Sequence, residues 1–266
     1  MRCHWLLFLL AAGVIAATGA TTAQALTWAD VYAYYPFDNT TGMVFSDAGP
    51  SNADATFHRP LRIEELPAID VANVTTTGKI GNGLSIGNRP VPAEGGTNHN
   101  VLVDIPVTAD LPASGDSFAV SYWLNVTSWT SCYGMIAAYN GNGLNWNLGM
   151  HNATSARGLL AWTSDADVGA GGNAQWTANL STAGLEVGTY NHFVVQFEGS
   201  LGVTACYVNG VSVVDAVDEN LFWGNRKEGF VLGGRALDAR NFTVPNSTPF
   251  LDDLAIIDGV VDSADV

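Results

Sequence analysis

The stretch TACYVNGVSVV constrains the fold of this chain more than any other segment, because it encodes a β-hairpin. Asn209 and Gly210 lie between two apolar segments, and an Asn-Gly pair favours a type I′ turn, in which both central residues need a positive φ. Around this loop the predicted cross-strand pairs are Val208 with Val211 and Cys206 with Val213. One side of the hairpin is then wholly apolar, so another layer of protein has to cover it.

The remainder of the chain is a series of short strand-like segments separated by Gly, Pro, Asn and Asp. Their apolar residues recur with period two, and no long window carries a helical stripe. Two segments show the alternation most clearly: Phe118, Val120, Tyr122, Leu124 and Val126, and then Phe193, Val195 and Phe197. This pattern predicts an all-β fold, a two-sheet antiparallel sandwich. The longest irregular region is expected from His58 to Asn100, where four prolines interrupt the chain.

The first 25 residues have the features of a secretory signal peptide. Arg2 precedes an apolar run that is too short to be a comfortable membrane span, and small residues end the segment at Ala23-Gln24-Ala25. We therefore expect cleavage after Ala25, a single domain over residues 26–266, and a secreted or cell-surface protein. Cys3 would leave with the signal peptide.

The charge balance limits the class of partner. The formal net charge is −15, and the chain has only two lysines, Lys79 and Lys227. Without a basic patch it has little with which to neutralise phosphates or anionic lipids, which argues against nucleic-acid and membrane partners. A neutral ligand or a cation suits this surface better. Cys132 and Cys206 lie in apolar strand-like segments, and we interpret both as structural.

Motifs for hydrolytic chemistry are weak. Residues 83–87 match the G-x-S-x-G pattern, but the residues that follow cannot start the helix that a nucleophile elbow requires. His192 lies in a strand, with no acid or nucleophile close to it in sequence, and we interpret it as a hydrogen-bonded structural residue. No Glu-x-Asp-x-Glu or Glu-x-Asp-x-x-Glu segment is present to place paired acids on one strand face.

Aromatic and amide residues concentrate in the middle of the chain. Indole and phenol rings stack on the apolar faces of sugars, and amides hydrogen-bond to sugar hydroxyls. We interpret Trp146 and Trp162 as core residues, because each alternates with other apolar residues. The candidate ligand-binding residues are Tyr139, Asn142, Asn145, Trp176 and Trp223. We expect the ligand groove along one sheet, lined by loops at residues 139–147 and 164–176.

Several segments occur in the order of a known family. They are VYAYYPFDNTTGMVFSDAGPSNADATF, GKIGNGLSIGN, SFAVSYWLNV with Trp123, TYNHFVVQFEG followed by ACYVNGVSV, FVLGGR, and PFLDDLAIIDGVVDSADV. Together they resemble laminin-G-like jelly-roll domains of the concanavalin-A-like lectin/glucanase superfamily. The chain departs from that pattern at Tyr190, where a Trp is usual, and at Asn191, where a His is usual. The resemblance implies a jelly roll in which a facing sheet covers the Asn209–Gly210 hairpin.

The function that fits these observations best is a non-catalytic extracellular module that binds a polysaccharide or a glycoprotein glycan. One alternative is a matrix or surface domain that binds other proteins through its loops. The other is a divergent glycoside hydrolase or polysaccharide lyase, with carboxylates that converge from separate strands. Fold alone does not decide between these functions.

A structural calcium site is also expected where the two ends of the chain meet. The resemblance implies that the first and last strands are neighbours. The proposed ligands are the side-chain oxygens of Asp38, Asp47, Asn52 and Asp252. Alternation along LDDLAI predicts that Asp252 shares an inward face with Leu254 and Ile256, where it would need a partner. The alternative is that Asp252 caps backbone amides while the loop acids are solvated.

Overall fold

The structure is a computed structural model. It describes residues 26–39, 42, 44–58, 75–85, 88–90, 98–100, 102–106, 116–126, 132–140, 143–153, 156–164, 173–179, 185–198, 202–213, 229–232, 250–261 and 266. For residues 132–140, 143–153, 156–164 and 173–179 only the backbone is described, apart from Ile136. The predicted signal peptide lies outside the described residues, and the single-domain assignment stays a prediction.

Eighteen strands and one 3-10 helix, Trp28–Asp30, are assigned in the described residues. The strands are β1 (Val31–Tyr35), β2 (Val44–Phe45), β3 (Ala55–His58), β4 (Thr75–Thr77), β5 (Asn82–Ser85), β6 (Asn88–Pro90), β7 (Asn98–Asn100), β8 (Leu102–Pro106), β9 (Phe118–Asn125), β10 (Cys132–Asn140), β11 (Gly143–Ala153), β12 (Ala156–Ser164), β13 (Asn173–Asn179), β14 (Tyr190–Glu198), β15 (Gly202–Val208), β16 (Val211–Ser212), β17 (Gly229–Leu232) and β18 (Phe250–Asp258).

The strands form two large antiparallel sheets. Sheet A has the order β16-β15-β14-β9-β18-β5-β4, and β1 also pairs with β18. Sheet B has the order β13-β12-β11-β10-β17-β8-β3-β2, and β6 and β7 form a separate pair. The expected jelly-roll sandwich is therefore confirmed. Sheet A combines pairs of sequence neighbours, such as β14–β15 and β4–β5, with the long-range pairs β14–β9, β9–β18, β18–β5 and β1–β18, which set its order.

The core lies between the two sheets. The predicted alternating residues of β9, of the position just after it, and of β14 are all buried there, namely Phe118, Val120, Tyr122, Leu124, Val126, Phe193, Val195 and Phe197. Sheet B contributes residues such as Val103, Ile136 and Phe230 to the same cluster. Period-two alternation places a side chain on the same face at every second residue, so the sequence specifies this buried face directly.

The Asn209–Gly210 turn has the predicted conformation, with φ of 50° and 78°. Val208 pairs with Val211, and the Val213 N–H donates to the Cys206 carbonyl at 2.9 Å. Val208, Cys206 and Val213 are buried, but Val211 is 51% exposed. The expectation of a wholly covered apolar side is wrong at Val211, since β16 is the outermost strand of sheet A and has only two residues.

The last strand, β18, lies in the middle of sheet A. It pairs with β1, β5 and β9, which confirms that the first and last strands are neighbours. Its register with β9 shifts between Asp252 and Ala255, and Asp253 within this bulge has a φ of 48°. A bulge inserts an extra residue and so interrupts the alternation of faces along a strand.

The structure bears on two further expectations from the sequence, the irregular region from His58 to Asn100 and the state of Cys206. Between His58 and Asn100, the residues that the structure describes include four short strands, β4 to β7, so this part of the region is less irregular than predicted. Cys206 is buried as a free thiol, and burial raises its pKa well above the ordinary range. Within the described part of the chain, no helix has both the length and the apolar character needed to cross a bilayer.

Candidate functional site

Two adjacent tyrosines of β1 divide the acidic residues near the chain ends into two groups. The Tyr35 hydroxyl is buried and donates to the Ala53 carbonyl at 2.5 Å, whereas the Tyr34 hydroxyl donates to Asp253 Oδ1. Burial and surrounding acids raise the pKa of both hydroxyls well above the ordinary range. The acids whose charges raise the pKa of Tyr35 are Asp47, Asp54 and Asp104. Those that raise the pKa of Tyr34 are Asp253, Asp252 and Asp38.

In the first group, Asp47 organises the loop between β2 and β3. Its Oδ1 accepts hydrogen bonds from the backbone N–H groups of Tyr34 at 2.8 Å and Gly49 at 2.7 Å. Its Oδ2 accepts from the Ser51 hydroxyl at 2.5 Å and the Ala53 N–H at 3.0 Å. The carboxylate is thus satisfied by four protein donors and joins the loop to β1.

In the second group, Asp252 is buried beneath the turn between β4 and β5. Its Oδ2 accepts from the N–H groups of Lys79 at 2.6 Å and Ile80 at 3.0 Å, and its Oδ1 accepts from the Asp253 N–H at 3.0 Å. Its burial is complete. Burial raises the pKa of Asp252 to about 6, although the three amide bonds oppose the shift.

The predicted orientation of Asp252 is wrong. Its cross-strand partner on β9 is Trp123, on the face of sheet A that is turned away from sheet B, which we call the outer face. Leu254 and Ile256 lie in the core. The bulge at Asp253 separates Asp252 from these two residues and changes the face on which it lies. Asp252 is buried because the β4–β5 turn covers it.

The neighbouring Asp253 has an unusual environment. Its Oδ1 accepts the Tyr34 hydroxyl, but its Oδ2 is buried without a hydrogen-bond partner. Burial raises the pKa of Asp253, and the charge of Asp38 acts in the same direction. Asp38 Oδ1 accepts the Asn82 N–H at 2.9 Å. The second group therefore holds three carboxylates, and Asp253 has an oxygen without a donor.

The four predicted calcium ligands are not brought together. Asp38 and Asp252 lie in the group around the Tyr34 hydroxyl, while Asp47 lies in the other group. The Asn52 side chain donates to the Pro50 carbonyl at 3.0 Å within the exposed loop. Among the described residues, no group of three or more His, Cys, Asp and Glu side chains is arranged to hold a metal ion. Sequence reasoning included Asp252 but missed Asp253, because the bulge has no clear sequence signal.

A second polar cluster lies beside Asp252 on the outer face. The Lys79 ammonium lies 4.8 Å from the centre of the Trp123 ring, and the His192 ring lies 4.9 Å from the same indole. His192 Nε2 is 2.8 Å from the Ser121 hydroxyl oxygen, and burial lowers the pKa of this histidine. His192 is therefore hydrogen-bonded, as expected of a structural residue, and Lys79 helps to hold the β4–β5 turn against β9.

Two of the five predicted sugar-binding residues, Asn142 and Trp223, lie outside the described residues. The other three are described by their backbone only. Tyr139 lies in β10 opposite Gly229, and Asn145 lies in β11. Trp176 lies in β13 opposite Ala161. Pairing continues from Ala161 through Leu148 to Ile136, so Trp176 shares a register row with a core residue.

The expectation that residues 139–147 and 164–176 are loops is wrong for most of their described residues, because 139–140 end β10, 143–147 begin β11, Ser164 ends β12 and 173–176 begin β13. The topology brings these strand ends to the same end of sheet B. Strands β10 to β13 form a meander, so the β10–β11 and β12–β13 connections lie at one end, and the β11–β12 connection lies at the other. The chain also enters β17 at this end, because Gly229 pairs with Tyr139.

These observations define the class of protein as a two-sheet antiparallel jelly roll in which the last strand is central to one sheet. A family model described as the concanavalin A-like lectin/glucanases superfamily matches residues 95–266. Since this is more than half of the chain, the protein belongs to this superfamily, in its laminin-G-like branch. No curated protein matches the sequence.

Solved structures share the fold at low sequence identity. Domain 4 of AbnA, an extracellular arabinanase from Geobacillus stearothermophilus solved with arabinotriose, is 18% identical with a TM-score of 0.54, and the match covers 89% of this chain and 96% of that domain. The binding domain of Paraclostridial Mosquitocidal Protein 1 is 11% identical with a TM-score of 0.56, and the match covers 86% of this chain and 51% of that one.

The ligand binding domain of botulinum neurotoxin serotype D, solved with N-acetylneuraminic acid, is 12% identical with a TM-score of 0.54. That match covers 90% of this chain and 50% of the toxin domain. The chain thus spans about half the length of the toxin domains that it matches. At these identities the likeness establishes the fold.

The contact between Asp252 and the β4–β5 turn predicts a strong effect of Gly78→Ala. A Cβ at Gly78 would lie 2.5 Å from Asp252 Oδ2 and 2.6 Å from the Asn82 carbonyl oxygen. We expect the free energy of unfolding to fall by roughly 2–4 kcal/mol, from overpacking and weakened amide bonds to Asp252. Gly188→Ala is the control, because Gly188 has a φ of 83° but open space around a Cβ. It should cost only about 1–2 kcal/mol. Equal losses in urea unfolding would contradict the prediction.

The raised pKa of Asp252 predicts that stability depends on pH. Between its ordinary value of 3.8 and about 6, the folded state retains a proton that the unfolded chain has lost. This contribution to stability is therefore full below the ordinary pKa and is lost as the pH rises through about 6. The test is urea unfolding of wild type and Asp252→Asn across this pH range. The difference between the two proteins reports the Asp252 carboxyl, because Asp253 and His192 are present in both. Wild type should lose more stability than the variant, and parallel curves would show that Asp252 does not titrate as described.

Proposed function

We propose that this protein is a secreted, non-catalytic module that binds a polysaccharide or a glycoprotein glycan at the end of sheet B where β10 leads into β11 and β12 leads into β13. The observation that carries this proposal is topological. Tyr139, Asn145 and Trp176 lie on strands β10, β11 and β13, and the end of β10, the start of β11 and the start of β13 lie at this end. Aromatic rings and amides are the groups that recognise neutral sugars.

The superfamily and its structural neighbours support a binding role. The arabinanase domain was solved with arabinotriose and the toxin domain with N-acetylneuraminic acid. These two structures suggest the first probes, namely arabino-oligosaccharides and sialylated glycans. The low fraction of basic residues favours the uncharged probes, because a sialic acid carboxylate needs a positive partner.

The test is a glycan array with residues 26–266, followed by calorimetry with the best-bound probe. Tyr139→Ala and Trp176→Ala should each weaken binding by at least about tenfold, or about 1.4 kcal/mol, if each ring stacks on a sugar. Because Trp176 shares its register row with Ile136, thermal melts must show that each variant is folded. Trp28→Ala is the matched control, since Trp28 is 57% exposed and lies before sheet A.

Other outcomes distinguish the alternative functions. Binding that survives the Tyr139 and Trp176 substitutions would place the site elsewhere. An absence of glycan binding, together with capture of a matrix protein by the intact chain, would favour the protein-interaction domain. Release of reducing sugar from mixed polysaccharides would instead identify a divergent hydrolase, and unsaturated products would identify a lyase.

A structural calcium ion is proposed as part of this function, held at the acidic group around Tyr34. The observation that favours it is the buried Asp253 Oδ2, which has no protein donor, beside the carboxylates of Asp38 and Asp252. Carboxylate oxygens are the ligands that Ca²⁺ prefers, and the ion accepts backbone carbonyls and water in flexible geometry. Asp38 and Asp253 are its candidate carboxylate ligands. Asp47 is less suited, because four protein donors already satisfy it.

Thermal melts in chelator and in millimolar calcium test this proposal. Calcium at about 100 times its dissociation constant should add roughly 2.7 kcal/mol to the stability of wild type. The calcium response should disappear in Asp253→Asn but remain in Asp47→Asn, which perturbs the other acidic group. Superimposable wild-type melts would rule out the ion. A response lost in Asp47→Asn and retained in Asp253→Asn would instead move it to the β2–β3 loop.

A further inference from the structure

The Asn209–Gly210 turn carries a reactive sequence as well as a turn signal. Glycine has no Cβ to hinder its backbone nitrogen, so the Gly210 nitrogen in a flexible chain can attack the Asn209 carboxamide carbon. Both residues are exposed at the tip of the β15–β16 hairpin. Burial therefore does not protect Asn209 from deamidation. Any protection must come from the hydrogen bonds that fix its side chain.

The Asn209 carboxamide is held at both of its polar atoms. Its Oδ1 accepts the His192 N–H at 2.9 Å, and its Nδ2 donates to Asn191 Oδ1 at 3.0 Å. The Asn209 N–H also donates to the His192 carbonyl at 2.9 Å. These bonds hold the side chain against β14. The carboxamide must leave both partners before its orientation can change freely.

Asn191 is itself fixed. It is only 3% exposed, and its Nδ2 donates to the carbonyls of Glu186 at 2.9 Å and Thr189 at 3.1 Å. Rotation of the Asn191 amide to present its nitrogen to Asn209 would break both of these bonds. Asn191 therefore presents a fixed acceptor, which suits the amide of Asn209 and does not suit a carboxylate in its place.

We propose that Asn209 is a site of spontaneous deamidation whose reaction in the folded protein is suppressed by its hydrogen bonds to Asn191 and His192. In the reaction, the Gly210 nitrogen forms a bond to Asn209 Cγ and loses its proton, while the Cγ–Nδ2 bond breaks and ammonia leaves. Water then opens the cyclic imide at either carbonyl, which gives aspartate or isoaspartate. Local opening of the hairpin tip precedes the attack.

Peptide mass spectrometry of aged protein measures the reaction through the mass increase at Asn209. Wild type should deamidate more slowly in buffer than when unfolded in urea at the same pH and temperature. Asn191→Ser, which shortens the fixed acceptor, should accelerate the reaction in the folded state roughly two- to twelvefold, the factor that corresponds to about 0.5–1.5 kcal/mol for one hydrogen bond.

Val120→Ala is the control for general destabilisation, because Val120 is buried in β9 and has no side-chain bond to the hairpin tip. It should leave the rate at Asn209 near that of wild type. The proposal is overturned if Asn191→Ser is folded and has the wild-type rate, or if both variants accelerate the reaction equally. If Asn191→Ser does not fold, the wild-type comparison decides, and equal rates in buffer and urea would overturn the proposal.

Discussion

The buried carboxylate of Asp252 is the interaction on which the arrangement of sheet A depends. It accepts the N–H groups of Lys79 and Ile80 at the tip of one hairpin while its own backbone lies in the central strand β18. A carboxylate taken out of water is unfavourable unless donors replace the water, and the turn supplies them. The same turn places the Lys79 ammonium over Trp123. The turn thus covers Asp252, and Asp252 holds the turn on the sheet.

This contact also explains the Gly-Lys-Ile-Gly sequence of residues 78–81. Gly78 has no room for a Cβ because Asp252 and the Asn82 carbonyl lie too close, and Gly81 has a φ of 68° next to Asp38. The two glycines therefore serve different physical needs, close approach at one position and a left-handed backbone at the other. Three segments that resembled separate motifs in the sequence, GKIG, SYW and LDD, meet at this one contact.

Much of the fold could be predicted from alternation and turn chemistry. The buried face of β9 and β14 and the Asn209–Gly210 turn follow from local rules that have few exceptions. The orientation of Asp252 could not be predicted in this way, because an extra residue at Asp253 breaks the period of β18 without a Gly or Pro to mark it. Val211 is exposed for a different reason. Its pairing was predicted, but its position on the outermost strand depends on the order of the whole sheet.

The candidate sites were less accessible to sequence reasoning than the fold. Tyr139 and Trp176 were chosen for their chemistry, and the meander of β10 to β13 then brings the end of β10 and the start of β13 to the same end of sheet B. The division of the acids between Tyr34 and Tyr35 depends on which face of β1 each neighbouring loop covers. No residue spacing encodes that choice. An acid-rich sequence therefore suggests cation binding in general, but only the folded chain identifies Asp253 as the carboxylate with an unpaired oxygen.

The position of β18 has a consequence for how the chain reaches its folded state. Sheet A needs residues 250–258 between β9 and β5, and contacts such as Tyr32 with Asp258 join residues 226 positions apart. During synthesis, β1, β5 and β9 all emerge long before the strand that joins them. Contacts of such long range form slowly, because the chain must close large loops first. Sheet A therefore stays incomplete in a nascent chain until residues 250–258 have emerged from the ribosome, and until then its unpaired strands depend on protection from aggregation.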